Sequence, residues 1–151
     1  GAANDRVRQA DGRFRDETNY DYMMRMGVWT ENLSLPAVIN ECLLQSYSGV
    51  IRLFPNTTRL GKASFHKLRA AGAFLVSAAW DGKAVSAVTL MSEKGARARV
   101  VNPWGAVGAS VRALDSGAEV QATLNKGVLE FETRAGQAYS LIAKLARKPA
   151  P

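Results

Sequence analysis

Apolar positions change period along this chain. From Leu33 to Ser48 they recur at spacings of three and four, at Leu35, Val38, Ile39, Cys42 and Leu43. That pattern predicts an amphipathic to mostly buried helix of about three turns. Ser34 can cap it, Pro36 suits its first turn, and Gly49 stands where a C-terminal cap residue belongs. After Gly49 the pattern shortens. Val50 to Phe54 reads as a strand ended by Pro55 and Asn56. Ala63 to Ala71 predicts about one or two helical turns with Phe65 and Leu68 inward. Phe74 to Trp80 is a strand, and Asp81-Gly82 signals a hairpin into Lys83 to Ser92. Further strands are read at Ala96 to Val101, Val107 to Leu114, Ala118 to Leu124, Val128 to Thr133 and Ala138 to Leu145. Turn residues such as Asp115-Ser116-Gly117, Asn125-Lys126-Gly127 and Ala135-Gly136 separate them.

About seven or eight short strands spaced about eight to twelve residues apart mark an antiparallel sandwich or barrel. We read the chain as mainly β, an antiparallel β-sandwich preceded by an N-terminal helical segment. Leu124, Val128, Leu129, Phe131, Leu141 and Ile142 are the core contributors expected from the last hairpins. The first thirty or so residues are polar, with a cluster of Tyr22, Met23, Met24, Met26 and Trp29, and lack a clean apolar face.

Composition narrows the class. The 151 residues suit one domain, or one domain with a fragment attached. No apolar run approaches the roughly 18–20 residues of a membrane-spanning helix, so no membrane partner is expected. Gly1 to Arg15 is polar and charged, unlike a signal peptide. The single cysteine, Cys42, excludes an intramolecular disulfide framework and any multi-cysteine metal site, and reads as a small buried hydrophobe. The net charge of +7 raises nucleic acid as a partner. The basic residues are scattered, without a block of five like charges, and many alternate along strands, as Arg97 and Arg99 do. A solvated outer face accounts for them better than a nucleic-acid footprint.

Few residues carry candidate chemistry. His66 is the only histidine, no metal-ligating cluster is apparent, and no nucleophile elbow surrounds any serine. No metal or cofactor is expected. Glu31 and Asn32 stand at the mouth of the first helix, where unpaired N–H groups and a positive dipole end favour an ionised carboxylate. Such a carboxylate can act as a general base, or the pair can simply cap the helix. Trp29, Trp80 and Trp104 offer broad apolar faces able to stack on sugars, or packing for the core or sheet edges. Trp104 follows Asn102-Pro103 in a loop and is the leading candidate for substrate binding, with Trp29 second.

The segment Asn32 to Pro55 contains Leu43-Leu44-Gln45-Ser46 and then Ile51-Arg52-Leu53-Phe54-Pro55. Leu68 to Ala78 reads Leu-Arg-Ala-Ala-Gly-Ala-Phe-Leu-Val-Ser-Ala, and Asn102-Pro103-Trp104 follows. In order and spacing these pieces resemble the closing part of glycoside hydrolase family 95, the α-L-fucosidase-like family built on an α/α barrel. The resemblance implies that residues 1–49 are a polar arm and the last helix of a barrel absent from this chain, and that residues 50–151 are the family's C-terminal all-β domain. It implies a parent enzyme that hydrolyses fucosyl- or galactosyl-terminated glycans with inversion, outside the cell or in the periplasm. An inverting glycosidase needs a general acid and a separate base. The family's acid lies earlier in the barrel. The place of its Asp-Gly-Asn motif is taken here by Thr30-Glu31-Asn32, so Glu31 and Asn32 are the catalytic residues implied for the parent.

The chain alone is then expected to be an inactive accessory domain whose partners are the missing barrel and, through it, carbohydrate. The alternatives are a free-standing carbohydrate-binding or interaction module and, third, a basic nucleic-acid-binding domain. An orphaned barrel helix would either fold back on the sandwich or drive homodimerisation.

Overall fold

The computed structural model describes residues 37–57 and 61–144. The chain divides into two compact units, Gly1–Ile39 and Asn40–Pro151. Glu31, Asn32, Trp29 and the polar stretch before them lie outside the described residues.

Residues 37–43 form a helix (α1), and Val38 and Ile39 on it are 59% and 49% exposed. The helix ends at residue 43, before the limit at Ser48 that the apolar spacing predicts. At Leu44 the chain becomes extended, because Leu44–Gln45 (β1) pairs antiparallel with Arg52–Leu53 (β2). Gly49 therefore serves a hairpin turn rather than a helix cap: its φ is +72° and its N–H donates to the Ser46 carbonyl at 3.0 Å. Leu44 and Leu53, opposite each other, are both buried.

Nine further strands among the described residues complete two larger sheets. They are Ala63–Ala70 (β3), Phe74–Trp80 (β4), Val85–Ser92 (β5), Ala98–Val101 (β6), Ala109–Ala113 (β7), Glu119–Val120 (β8), Ala122–Asn125 (β9), Val128–Phe131 (β10) and Gln137–Ala143 (β11). The main sheet has six strands in the order β3-β4-β5-β11-β7-β8, and the second has three in the order β6-β10-β9. Every pairing within these sheets is antiparallel. Ile51 bridges to Val100 in parallel and so covers the free edge of β6. One stretch serves both sheets: β8 lies at the edge of the main sheet, and after Gln121 the chain continues as β9 at the edge of the smaller one.

The predicted helical turns at Ala63 to Ala71 are strand β3. The spacing of Phe65 and Leu68 misleads because a β-bulge inserts a residue between them. Lys67 adopts φ +56° there, and both Phe65 and Leu68 still face the core. A bulge converts the two-residue repeat of a strand into a three-residue one, which imitates a helix over so short a span.

The core fills from both sheets. Val76, Val88, Leu90, Val111, Tyr139 and Leu141 come from the main sheet, and Val100, Leu129 and Phe131 from the smaller one. Phe131 and Tyr139 meet edge-on across the interior with ring centroids 5.6 Å apart. Leu129, Phe131 and Leu141 are buried as the pattern predicts, and Val128 is half-buried. Leu124 and Ile142 are not core residues, at 47% and 44% exposure. Adjacent residues of a strand point to opposite faces, so burying Leu141 turns Ile142 outward. Leu124 sits on β9, the edge strand of its sheet, with no strand beyond it among the described residues.

Polar contacts close the loops. Ser92 is fully buried, its Oγ accepting from the Gly95 N–H at 2.9 Å and lying 2.7 Å from Thr133 Oγ1. Thr133 also donates to the Ala96 carbonyl. Gly95 has φ +76°, and a Cβ there would stand 3.0 Å from the Ala135 nitrogen. Gly95→Ala is expected to lower stability by about 1–3 kcal/mol through this strain, measurable by urea unfolding. On the outward face of the smaller sheet, Arg97 and Arg99 pair with Glu130 at 3.1 and 3.2 Å, as alternate charges on a solvated strand should.

Candidate functional site

The connection between β6 and β7 is organised by one side chain. Asn102 is 6% exposed, and its Nδ2 donates to the Gly105 and Val107 carbonyls at 2.9 and 2.8 Å. Its Oδ1 accepts from the Trp104 N–H at 3.2 Å, and its own N–H donates to the Gly127 carbonyl at 2.8 Å. Asparagine suits this place because one short side chain supplies both donors and an acceptor to backbone that no strand can satisfy. The following Pro103 limits the backbone before Trp104. The result is a rigid loop that carries Trp104.

Trp104 is fixed a second time. Its indole Nε1–H donates to the Val85 carbonyl at 2.8 Å, tying the loop to the first residue of β5. Val85 in turn follows the turn formed by residues 81–84. There Asp81 Oδ1 accepts from the N–H groups of Lys83 and Ala84 at 2.8 and 2.9 Å, and Asp81 N–H donates to the Ala84 carbonyl at 3.1 Å. The Asp81-Gly82 signal thus marks a real hairpin, closed by the aspartate side chain over residues 81–84.

These elements border an open cleft of about 560 Å³, within the size range of small-molecule sites. Leu53, Phe54 and Thr57 line it from the β2 side, Trp80 and residues 83–85 from the β4–β5 hairpin, and Pro103, Trp104 and Val107 from the Asn102 loop. Phe54 packs obliquely between Phe65 at 5.3 Å and Trp80 at 6.2 Å, and this nearly buried aromatic cluster supports the cleft from beneath, with the half-buried Trp80 reaching its surface. Trp80 packs across its neighbour, as its place at the end of a strand predicts. Val107 is 40% exposed at the mouth.

The Asp81 carboxyl is held below the usual aspartate value of 3.8, chiefly by the N–H groups of Ala84 and then Lys83. A lowered carboxyl pKa means a contribution present above 3.8 and lost as pH falls through the lower, folded value. The 81–84 turn is therefore expected to loosen only in acid below that point. Faster exchange of the Lys83 and Ala84 amides than of β5 amides as pH is lowered, after correction for intrinsic rates, would register it; unchanged relative protection would refute it.

Of the expected site residues, Trp104 lies in this cleft. Glu31, Asn32 and Trp29 fall outside the described residues. His66 is exposed on the β3 bulge, 3.4 Å from Ser77 Oγ, whose hydroxyl also accepts from the Lys67 N–H at 3.0 Å. The serine serves the bulge geometry. Cys42 is a free, half-buried thiol. Among the described residues no group of three or more His, Cys, Asp or Glu is placed to hold a metal ion, and no helix is long and apolar enough to cross a membrane. Sequence reading missed Asn102 as a loop organiser and Lys83 at the rim. The available signals were an asparagine before proline between two strands and the residue following Asp-Gly.

The architecture defines the class as a two-sheet antiparallel β-sandwich with an aromatic cleft beside its β6–β7 loop. Within that class the chain belongs to glycoside hydrolase family 95, whose C-terminal domain model matches residues 45–141, from β1 into β11. This is an accessory domain of family 95 glycoside hydrolases, and membership implies association with a family 95 catalytic domain. No curated protein matches the chain.

Proposed function

We propose that this chain serves as the accessory β-sandwich domain of a family 95-like glycoside hydrolase, supporting an α/α barrel that cleaves fucosyl- or galactosyl-terminated glycans. The observation that carries this reading is the family C-terminal domain match across nearly the whole of the sandwich. Inverting hydrolysis demands an acid and a base on opposite faces of the sugar ring. In our reading the acid belongs to the barrel. The residues up to the end of α1 supply the barrel's closing helix, and the β domain begins at β1, where the family match starts. Glu31 contributes a base in the assembled enzyme, with Asn32 beside it. The resemblance of Thr30-Glu31-Asn32 to the family's carboxylate motif supports that assignment.

One carboxylate without its acid partner cannot complete both proton transfers. The isolated chain is therefore expected to give no turnover of aryl α-L-fucosides or aryl β-galactosides above the enzyme-free rate. Chain-dependent release of the aryl alcohol would overturn the accessory reading.

A further inference from the structure

We propose that the cleft between Phe54, Trp80 and Trp104 is a saccharide-binding site separate from hydrolysis, with the Trp104 ring as its stacking platform. The inference deepens the accessory-domain reading and rests on it for the class of sugar.

Three observations carry it. First, Trp104 is locked in place before any ligand arrives. Its backbone is held by Asn102, and its only polar atom is committed to the Val85 carbonyl. The half-buried ring packs against the core and lines the cleft, so the surface it keeps there is presented at little entropic cost, and with its N–H already bonded it contributes by stacking. Second, the cleft is a mixed surface. The half-buried Trp80 and Trp104 suit the apolar C–H face of a pyranose, and the exposed Lys83 and the hydroxyl-bearing Thr57 at its edge suit the hydroxyl groups around the same ring. A purely apolar ligand would leave these polar groups unused. Third, the cleft is large enough for a small saccharide, and its two rims are each braced, one by Asp81 and one by Asn102. Such bracing is what a pre-formed site needs.

The test is amide and indole NMR on the isotopically labelled 151-residue chain, titrated separately with methyl α-L-fucopyranoside, methyl β-D-galactopyranoside, lactose and cellobiose. The expected result is saturable, low-millimolar binding of at least one fucosyl or galactosyl probe. Its shifts should centre on Thr57, Lys83 to Val85 and Trp104 to Val107, including the Trp104 indole N–H. Trp104→Ala is expected to weaken that binding by about tenfold or more, and Trp104→Phe by less. Lys83→Ser, at an exposed position, is expected to weaken it by about threefold without altering the fold. No saturable shift with any of the four sugars, or shifts centred elsewhere, overturns the site; the wild-type map decides this even if Trp104→Ala fails to fold. Preference for cellobiose alone also overturns the assigned sugar class. Sugar binding without association with a catalytic domain keeps the cleft and removes the hydrolase setting. Association without sugar binding removes the cleft alone.

Discussion

Phe131→Ala is expected to lower the stability of the sandwich by about 3–5 kcal/mol. Phe131 is 2% exposed and meets Tyr139 across the gap between the two sheets. Removing the ring leaves a cavity whose walls are strands held in register on both sides, so they cannot collapse into it. Tyr139 cannot follow, because its hydroxyl accepts from the Arg134 N–H at 2.7 Å and donates to Gln137 Oε1 at 3.0 Å. At about 4 °C per kcal/mol, the melting temperature should fall by about 12–20 °C. Calorimetry checks this. A fall of only a few degrees would mean that the sheets are not joined through this contact. Leu124→Ala and Ile142→Ala serve as contrasts, since both side chains are largely exposed and should cost little.

Asn102→Ala is expected to cost about 2–3 kcal/mol and, unlike the core variant, to act locally. It removes both donors to the Gly105 and Val107 carbonyls and the acceptor for the Trp104 N–H. No other side chain reaches these groups among the described contacts, so they must turn to water, and the loop must open to admit it. Trp104 should then become more exposed, with a red shift in its emission. Asn102→Asp keeps an oxygen for the Trp104 N–H but sets a second carboxylate oxygen against the Gly105 and Val107 carbonyls in a buried place, and should cost at least as much as alanine. An alanine variant with native stability and native tryptophan emission would show that the loop is held by other means.

The legible parts of the fold were those written in short apolar runs and turn chemistry. Phe74 to Trp80, closed by Asp81-Gly82, and Val128 to Phe131, opened by Asn125-Lys126-Gly127, are short apolar runs bounded by turn signals, and both are strands. Asn125-Lys126-Gly127 turns as expected, with φ of +49° at Lys126 and +79° at Gly127, the left-handed pair a tight hairpin requires. The illegible parts were those decided by partners distant in sequence. Leu44 continues a helical spacing, and only its pairing with Leu53 makes it a strand. Ala118 to Leu124 reads as one strand, yet its two halves join different sheets, because β8 finds β7 and β9 finds β10. The bulge at His66 and Lys67 hides a strand behind a helical period.

The site was legible in its two tryptophans, Trp80 and Trp104. Trp104 stands out in sequence because a tryptophan after Asn-Pro must lie in a loop. The role of Asn102 as the loop's organiser was not legible, since it depends on the Gly105 and Val107 carbonyls turning toward one side chain. The Val85 carbonyl that anchors the indole is backbone and carries no side-chain signal.

The most direct test of the accessory-domain reading is to mix this chain with a family 95 catalytic barrel expressed without its own β domain, then follow co-elution and turnover of an aryl α-L-fucoside together. We expect the two to elute as one complex, with turnover dependent on the barrel and raised or stabilised by the chain. Separate elution with barrel turnover and thermal half-life unchanged by the chain would contradict the account.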